Sequence, residues 1–302
     1  MSMVLELVGS AIVLLWVIFV APLLDGVRRK IYARIQRRVG PPVLQTYYDL
    51  AKLFSRRSIG PSTPSPGARI APLASILYVA TASLLVYSVE LNKLLGGVVG
   101  FVMLVAGSTV MLILGVLGSS PYTSIGASRL LLLGAVIEPS TLIALYASSL
   151  SAGYAGYMSA IITRSVNWLV ALASSLSLAV TAYAESELSP FSIGEAPTEI
   201  ASGYLAEYGG RHLALALMSC LSRFTLISIV AVLPLASLVA RGFYGLLVAL
   251  ALSVMLTLII YFVSAMYGRP TPLRALGYAV AAYAIGVVAL VLALYYSSSP
   301  LL

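Results

Sequence analysis

The chain has 302 residues, 60% of them hydrophobic and 9% charged, with mean hydropathy +1.01. Soluble domains carry roughly 25% charged residues, so this composition excludes a soluble globular protein and predicts an all-α integral membrane protein. The net charge of +8 invites a nucleic-acid reading, but residues 25–70 alone hold ten Lys or Arg against two Asp, and the remainder is neutral. The charge therefore marks one membrane-side loop rather than a groove for phosphates.

Apolar runs of about 20 residues, the length that crosses a bilayer, fall at 4–24, 71–90, 94–118, 130–152, 158–183, 211–240, 243–267 and 274–296. They predict about eight transmembrane helices in a single membrane domain over 1–302. The first run lacks a basic flank and a cleavage site before it, and reads as a retained span. If the 25–70 loop faces the cytoplasm, the loops at 119–129, 184–211 and 268–274 follow it. Lys and Arg then number fourteen inside against three outside, Lys93, Arg164 and Arg241. That bias places both termini outside and points to the plasma membrane.

Within the first loop, Gly40-Pro41-Pro42 forces a turn. In the TYYDLAKLFSRR that follows, Tyr47, Leu50, Leu53 and Phe54 share a helical face, while Asp49, Lys52 and Arg56 mark another. This spacing predicts an amphipathic helix lying in the interface plane after the first span.

Two spans carry charge. Glu138 lies more than two helical turns beyond Arg129 and is followed by Pro139, which loosens the helix. A carboxylate at such depth costs roughly 2.5–3.5 kcal/mol on insertion scales and needs a reason. Arg223, twelve residues past Arg211, lies at similar depth. Either the two pair, or Glu138 stands on an ion path.

The stretch 184–215 holds Glu185, Glu187, Glu195, Glu199 and Glu207, half of the chain's ten acids. Ile, Ala, Tyr and Leu stand among them and no Lys does, whereas a solvated acidic loop usually carries Lys. Such carboxylates read as partly buried, with protonation open to adjustment by their surroundings. Cys220 and His212 are each the single residue of their kind, so the chain alone builds no disulfide, iron–sulfur cluster or zinc site.

These segments resemble a known family. ARIQRRVGPPVLQTYYDLAKLF is similar to the first cytoplasmic loop of the complex I subunit that forms the quinone chamber, and of its homologues in energy-converting membrane-bound hydrogenases. IGASR with Glu138-Pro139 resembles the family's third-to-fourth-span element. AES, PF, EAPTEI and EYGGRHLAL resemble its fifth-to-sixth-span loop. GPPVLQ and EYGGRHLAL lean toward the hydrogenase and formate hydrogenlyase branch. The chain departs from the family at Leu130, Ser192 and Pro197, where the family often carries acids.

The resemblance implies a coupling subunit with no redox cofactor of its own. Its partners would be hydrogenase-like large and small subunits bearing a nickel–iron site and iron–sulfur clusters, antiporter-like membrane subunits, and ferredoxin as donor. The implied ion-path residues are Glu138, Glu185, Glu187, Glu195, Glu199, Glu207 and Arg223. The implied docking residues are Arg34, Gln36, Arg37, Arg38, Asp49, Lys52, Arg129 and Arg211. The alternatives are a quinone-chamber subunit of complex I, a stand-alone secondary ion transporter, which would show internal repeats with paired broken helices, and a passive anchor.

Overall fold

The computed structural model describes residues 3–58, 66–117, 119–154, 156–164, 166–194, 202–268 and 271–298. Among them there are helices and turns and no strand, as a chain surrounded by hydrocarbon requires when its backbone groups must bond within their own segment.

Helix α1 (Met3–Ile35) runs eleven residues past the expected end of the first span. The cause is local: the buried Asp25 carboxylate accepts from Arg28 at 2.8 Å and Arg29 at 3.1 Å, three and four residues on, a spacing that stabilises helix. The chain then turns back across α1 at Gly26, where a Cβ would lie 1.7 Å from the Val43 carbonyl oxygen. Only a residue without a side chain permits this crossing. It seats the expected amphipathic helix α2 (Gln45–Ser55) against the bundle. Its buried side is Thr46 and Leu50, with Leu53 partly covered, while Phe54 remains exposed.

Helix α3 (Pro66–Leu85) is followed by a short α4 (Val89–Leu95), whose Ser88 cap accepts from the Leu91 amide, and by α5 (Gly97–Val116). The expected 71–90 span therefore stops at Leu85, and its last residues belong to a cap and a separate helix. The expected loop at 119–129 is instead mostly the start of α6 (Pro121–Ser151): Ser120 accepts from the Thr123 amide and Pro121 occupies the first turn, the N-terminal position that suits proline. The expected 158–183 span is divided into α7 (Met158–Thr163) and α8 (Trp168–Glu185), the latter started by Asn167 accepting from the Leu169 amide.

After a 3-10 turn at Gly203–Glu207 come α9 (Arg211–Val239), α10 (Gly242–Met266) and α11 (Pro272–Ser298). Seven of these helices are long and apolar enough to span a bilayer. The eighth expected span corresponds to α3, whose apolar part, Arg69–Leu85, is shorter. Helix α9 has 72% of its apolar window buried, against 28% for α11. It is the central post, packed on α1, α2, α3, α8 and α10, while α11 lies outside against α6 and α8.

Candidate functional site

Because α9 is enclosed, its charge is enclosed as well. Arg223 is 1% exposed. Its Nη2 lies 3.0 Å from Glu187 Oε1 and its Nε 3.0 Å from Glu185 Oε2. The second contact is an ion pair by distance without the alignment of a hydrogen bond, since Nε has no bonded acceptor. Nη1 is bonded to Thr109 Oγ1 on α5. Of the two alternatives left open for Glu138, the pairing with Arg223 is not found: Arg223 faces the two acids at the end of α8. Equal depth along the membrane normal says nothing about which face of a helix a side chain leaves from.

The acids are delivered by the way α8 ends. Ser186 Oγ bonds the Tyr183 carbonyl and accepts from the Leu188 amide, and Glu187 takes the left-handed φ of 53°. A non-glycine residue in that region carries backbone strain. The turn drives the Glu187 side chain into the protein, where it is 7% exposed. Tyr204, fully buried in the 3-10 turn, donates to Glu187 Oε1 at 3.0 Å. Tyr208 donates to the Leu112 carbonyl at 2.7 Å and fastens the same loop to α5. Burial pushes the Glu187 carboxyl up, against the opposing pull of Arg223 and the Tyr204 hydroxyl.

Two spaces adjoin this cluster. Beneath α2 lies a cavity of about 180 Å³, walled by Glu185 and Glu187 on one side and by Asp25, Arg28, Arg29 and Asp49 on another. Leu50, Leu53, Leu217 and Phe224 give it an apolar side. Thr46 donates to Asp25 at 2.7 Å, and Arg29 reaches Asp49 at 2.7 Å. Partial burial works against the Asp49 charge, but hydrogen bonds from Gln45 and Arg29 and the Arg29 charge hold its carboxyl below the usual range. On the other side, Glu138 shares a space of about 10 Å³ with Thr109, Glu185 and Glu187, close to the minimum room of about 10–15 Å³ for a single water. Acidic and basic groups thus run from the cavity under α2, through Glu185, Glu187 and Arg223, to Glu138.

Of the residues expected on an ion path, the structure brings together Glu138, Glu185, Glu187 and Arg223. Glu207 is the last residue of the 3-10 turn that carries Tyr204. Glu195 and Glu199 lie outside the described residues. Of the residues expected to dock a partner, Arg34, Gln36, Arg37, Arg38, Lys52 and Arg211 are exposed, and Arg129 is partly so. Asp49, expected on the polar outer side of α2, instead faces Arg29. Arg211 donates to the Phe54 carbonyl at 3.0 Å, and Gly210 packs so closely under Arg57 that a Cβ would lie 2.1 Å from its carbonyl oxygen. The first loop and the loop before α9 are therefore one continuous surface.

Sequence reasoning missed Asp25, Arg28, Arg29, Thr109 and Tyr204. The first three were readable as an i, i+3, i+4 set; the other two reach the site from distant parts of the chain. Among the described residues, no group of three or more His, Cys, Asp or Glu is placed to hold a metal ion.

A helical membrane bundle with a buried arginine–carboxylate cluster beneath an interfacial helix defines a class of membrane subunit rather than a soluble enzyme. The chain belongs to the NADH dehydrogenase family, whose profile matches residues 8–295. It is 36% identical over 200 residues to formate hydrogenlyase subunit 4 of Escherichia coli (strain K12), covering 63% of this chain and 65% of that relative. It is 32% identical over 221 residues to hydrogenase-4 component C of the same organism, covering 71% and 69%. NADH-ubiquinone oxidoreductase chain 1 of Patiria pectinifera is 27% identical over 241 residues, covering 75% and 73%. The chain thus spans about two thirds of these relatives' length in alignment. The fold is shared with a chain of the membrane-bound sulfane sulfur reductase, an archaeal respiratory membrane complex, at a TM-score of 0.77 and 22% identity over 95% of this chain and 99% of that one.

Proposed function

We propose that this multi-pass subunit docks a peripheral redox module and links its electron transfer to ion movement across the membrane. The observation that carries the reading is the Arg223 cluster. One buried cation is held between two carboxylates that line the cavity under α2, and a third acid lies beyond them inside the bundle. A change of charge at the cavity alters the protonation preferred by Glu187, and that change is felt at Glu138 because little screening separates them. The continuous surface made by the first loop and the loop before α9 is the docking face. Arg34, Gln36, Arg37, Arg38, Lys52, Arg129 and Arg211 supply its polar groups.

The hydrogenase-type relatives match at 36% and 32% identity, against 27% to 31% for the NADH-ubiquinone oxidoreductase chain 1 relatives, which favours a hydrogenase-like module over quinone reduction. In this reading the large and small partner subunits carry the nickel–iron site and the iron–sulfur clusters. Antiporter-like subunits lie alongside in the bilayer, and ferredoxin supplies electrons. The complex sits in the plasma membrane, with the docking face toward the cytoplasm and both termini outside. Purification from membranes in mild detergent tests this: hydrogenase-like subunits containing nickel and iron are expected to accompany the chain. Recovery of the chain alone, with no redox subunit, would overturn the reading.

A further inference from the structure

A third space touches the same cluster from another direction. Between the C-terminal ends of α1 and α10 and the turn after α8 lies a cleft of about 430 Å³. Gln36, Tyr267 and Gly268 are exposed at its mouth, and Ser192 and Ser264 line it. Its floor includes Glu187. Arg28 and Leu188 border both this cleft and the cavity under α2, so they form the partition between the two. Tyr32 bonds Ser264 at 2.6 Å and Ser189 bonds the Gly268 carbonyl at 2.8 Å, contacts that tie the walls to one another. Glu187 is thus common to all three spaces: the cleft, the cavity under α2 and the narrow space leading to Glu138.

Its two oxygens are unequal. Oε1 accepts from Arg223 and Tyr204. Oε2 is buried and has no hydrogen-bond partner among the described residues. A buried carboxylate oxygen without a donor is costly, and the cost disappears when a proton or water occupies it. A wide polar cleft on one side and room for barely one water on the other is the arrangement of a one-sided entry.

We infer that the cleft between α1, α10 and the turn after α8 is an aqueous proton inlet that reaches Glu187 separately from the cavity under α2. The proposal rests on the coupling role proposed above and supplies its proton source. A proton from water in the cleft is taken up by the Glu187 carboxylate, which becomes neutral. Arg223 is then balanced by Glu185 alone, and the proton is positioned beside the narrow space that Glu138 lines. Charge changes arriving through the cavity and protons arriving through the cleft meet at one side chain without sharing an entrance. Serines, a glutamine and exposed helix ends at the mouth suit water; a lipid headgroup seat is the outcome that would contradict the inference.

The test uses the intact complex in membrane vesicles with this face outward. Cys220 is the chain's single cysteine, so a Cys220→Ser background isolates introduced thiols on this chain, read by its mass. Ser192→Cys in the cleft is expected to react with a charged, membrane-impermeant thiosulfonate. Gly268 lines the cleft and a Cβ there meets nothing within 4 Å, so Gly268→Trp adds bulk at the mouth without a clash at Cβ, and labelling of Ser192→Cys reads whether the mouth is narrowed. The substitution is expected to slow labelling of Ser192→Cys severalfold and to leave labelling of Leu53→Cys, in the cavity under α2, unchanged. In liposomes, Gly268→Trp alone is expected to lower ions moved per electron severalfold at unchanged turnover with a soluble dye. No reaction at Ser192→Cys and Ser264→Cys, or reaction only with a lipophilic reagent, overturns the inlet. So does full ion movement in a Gly268→Trp complex whose cleft is shown by labelling to be blocked. If the unaltered complex moves no ions, the coupling role fails while the labelling still decides whether water reaches the cleft.

Discussion

Replacing Arg223 with methionine keeps the apolar stem of the side chain and deletes the cation that Glu185 and Glu187 face. The side chains involved are 1%, 9% and 6% exposed, so solvent screens little of the interaction. Two unit charges about 4 Å apart attract by about 4 kcal/mol at an effective dielectric of about 20. The desolvation of both partners offsets much of that, but removal of one partner strands the others, and measured losses for breaking buried pairs run about 3–5 kcal/mol. Arg223→Met is therefore expected to destabilise the subunit by about that amount, read as loss of the intact complex at lower temperature in detergent. Glu185→Gln and Glu187→Gln added together to Arg223→Met should restore much of the loss, because the stranded charges are then gone, and the non-additivity of the triple variant reports the coupling. If Arg223→Met is as stable as the unaltered protein, the cluster is not held by charge and the reasoning fails.

The docking face is tested by Arg37→Glu with Arg38→Glu, which should release the peripheral module at ordinary salt while the subunit stays inserted; a module that stays bound places docking elsewhere. Cysteines at Ser58 and Gly242, in the Cys220→Ser background, should label from opposite sides of the membrane, Ser58→Cys from the cytoplasm. Labelling of both from one side contradicts the orientation. Asp49 lies below its ordinary value of 3.8 in the folded protein, so its contribution to seating α2 is complete above that value and is lost as pH falls through the lowered one. Protease cutting of α2 should accordingly rise only below about pH 4 in the unaltered subunit, and Asp49→Asn should show raised cutting already at neutral pH.

The long helices were legible because runs of about 20 apolar residues have few alternatives in a bilayer. The amphipathic α2 was legible from its spacing, and its place on α1 was not, because that depends on the chain crossing at Gly26. The start of α6 at Pro121 carried a readable signal in Ser120-Pro121, a cap followed by a first-turn proline, which hydropathy alone passes over. The gathering of acids after α8 was visible as composition. Its geometry was hidden, since Glu187 reaches Arg223 through a left-handed turn and is held by Tyr204 from seventeen residues away. Of the two readings open for Glu138, pairing with Arg223 is not the one found, because azimuth around α9 is set by packing against α8 and α5 and turns Arg223 to Glu185 and Glu187.

Ion movement per electron in liposomes, compared between the unaltered complex and Glu138→Gln, tests the coupling role most directly. Glutamine preserves the size of the side chain that shares the narrow space with Glu185 and Glu187, and removes its proton exchange. The expected result is retained assembly and retained turnover with a soluble dye, with ion movement driven by the physiological donor falling severalfold. Full ion movement per electron at normal turnover in Glu138→Gln would contradict a carboxylate path through Arg223 and leave the cluster as a structural fastening.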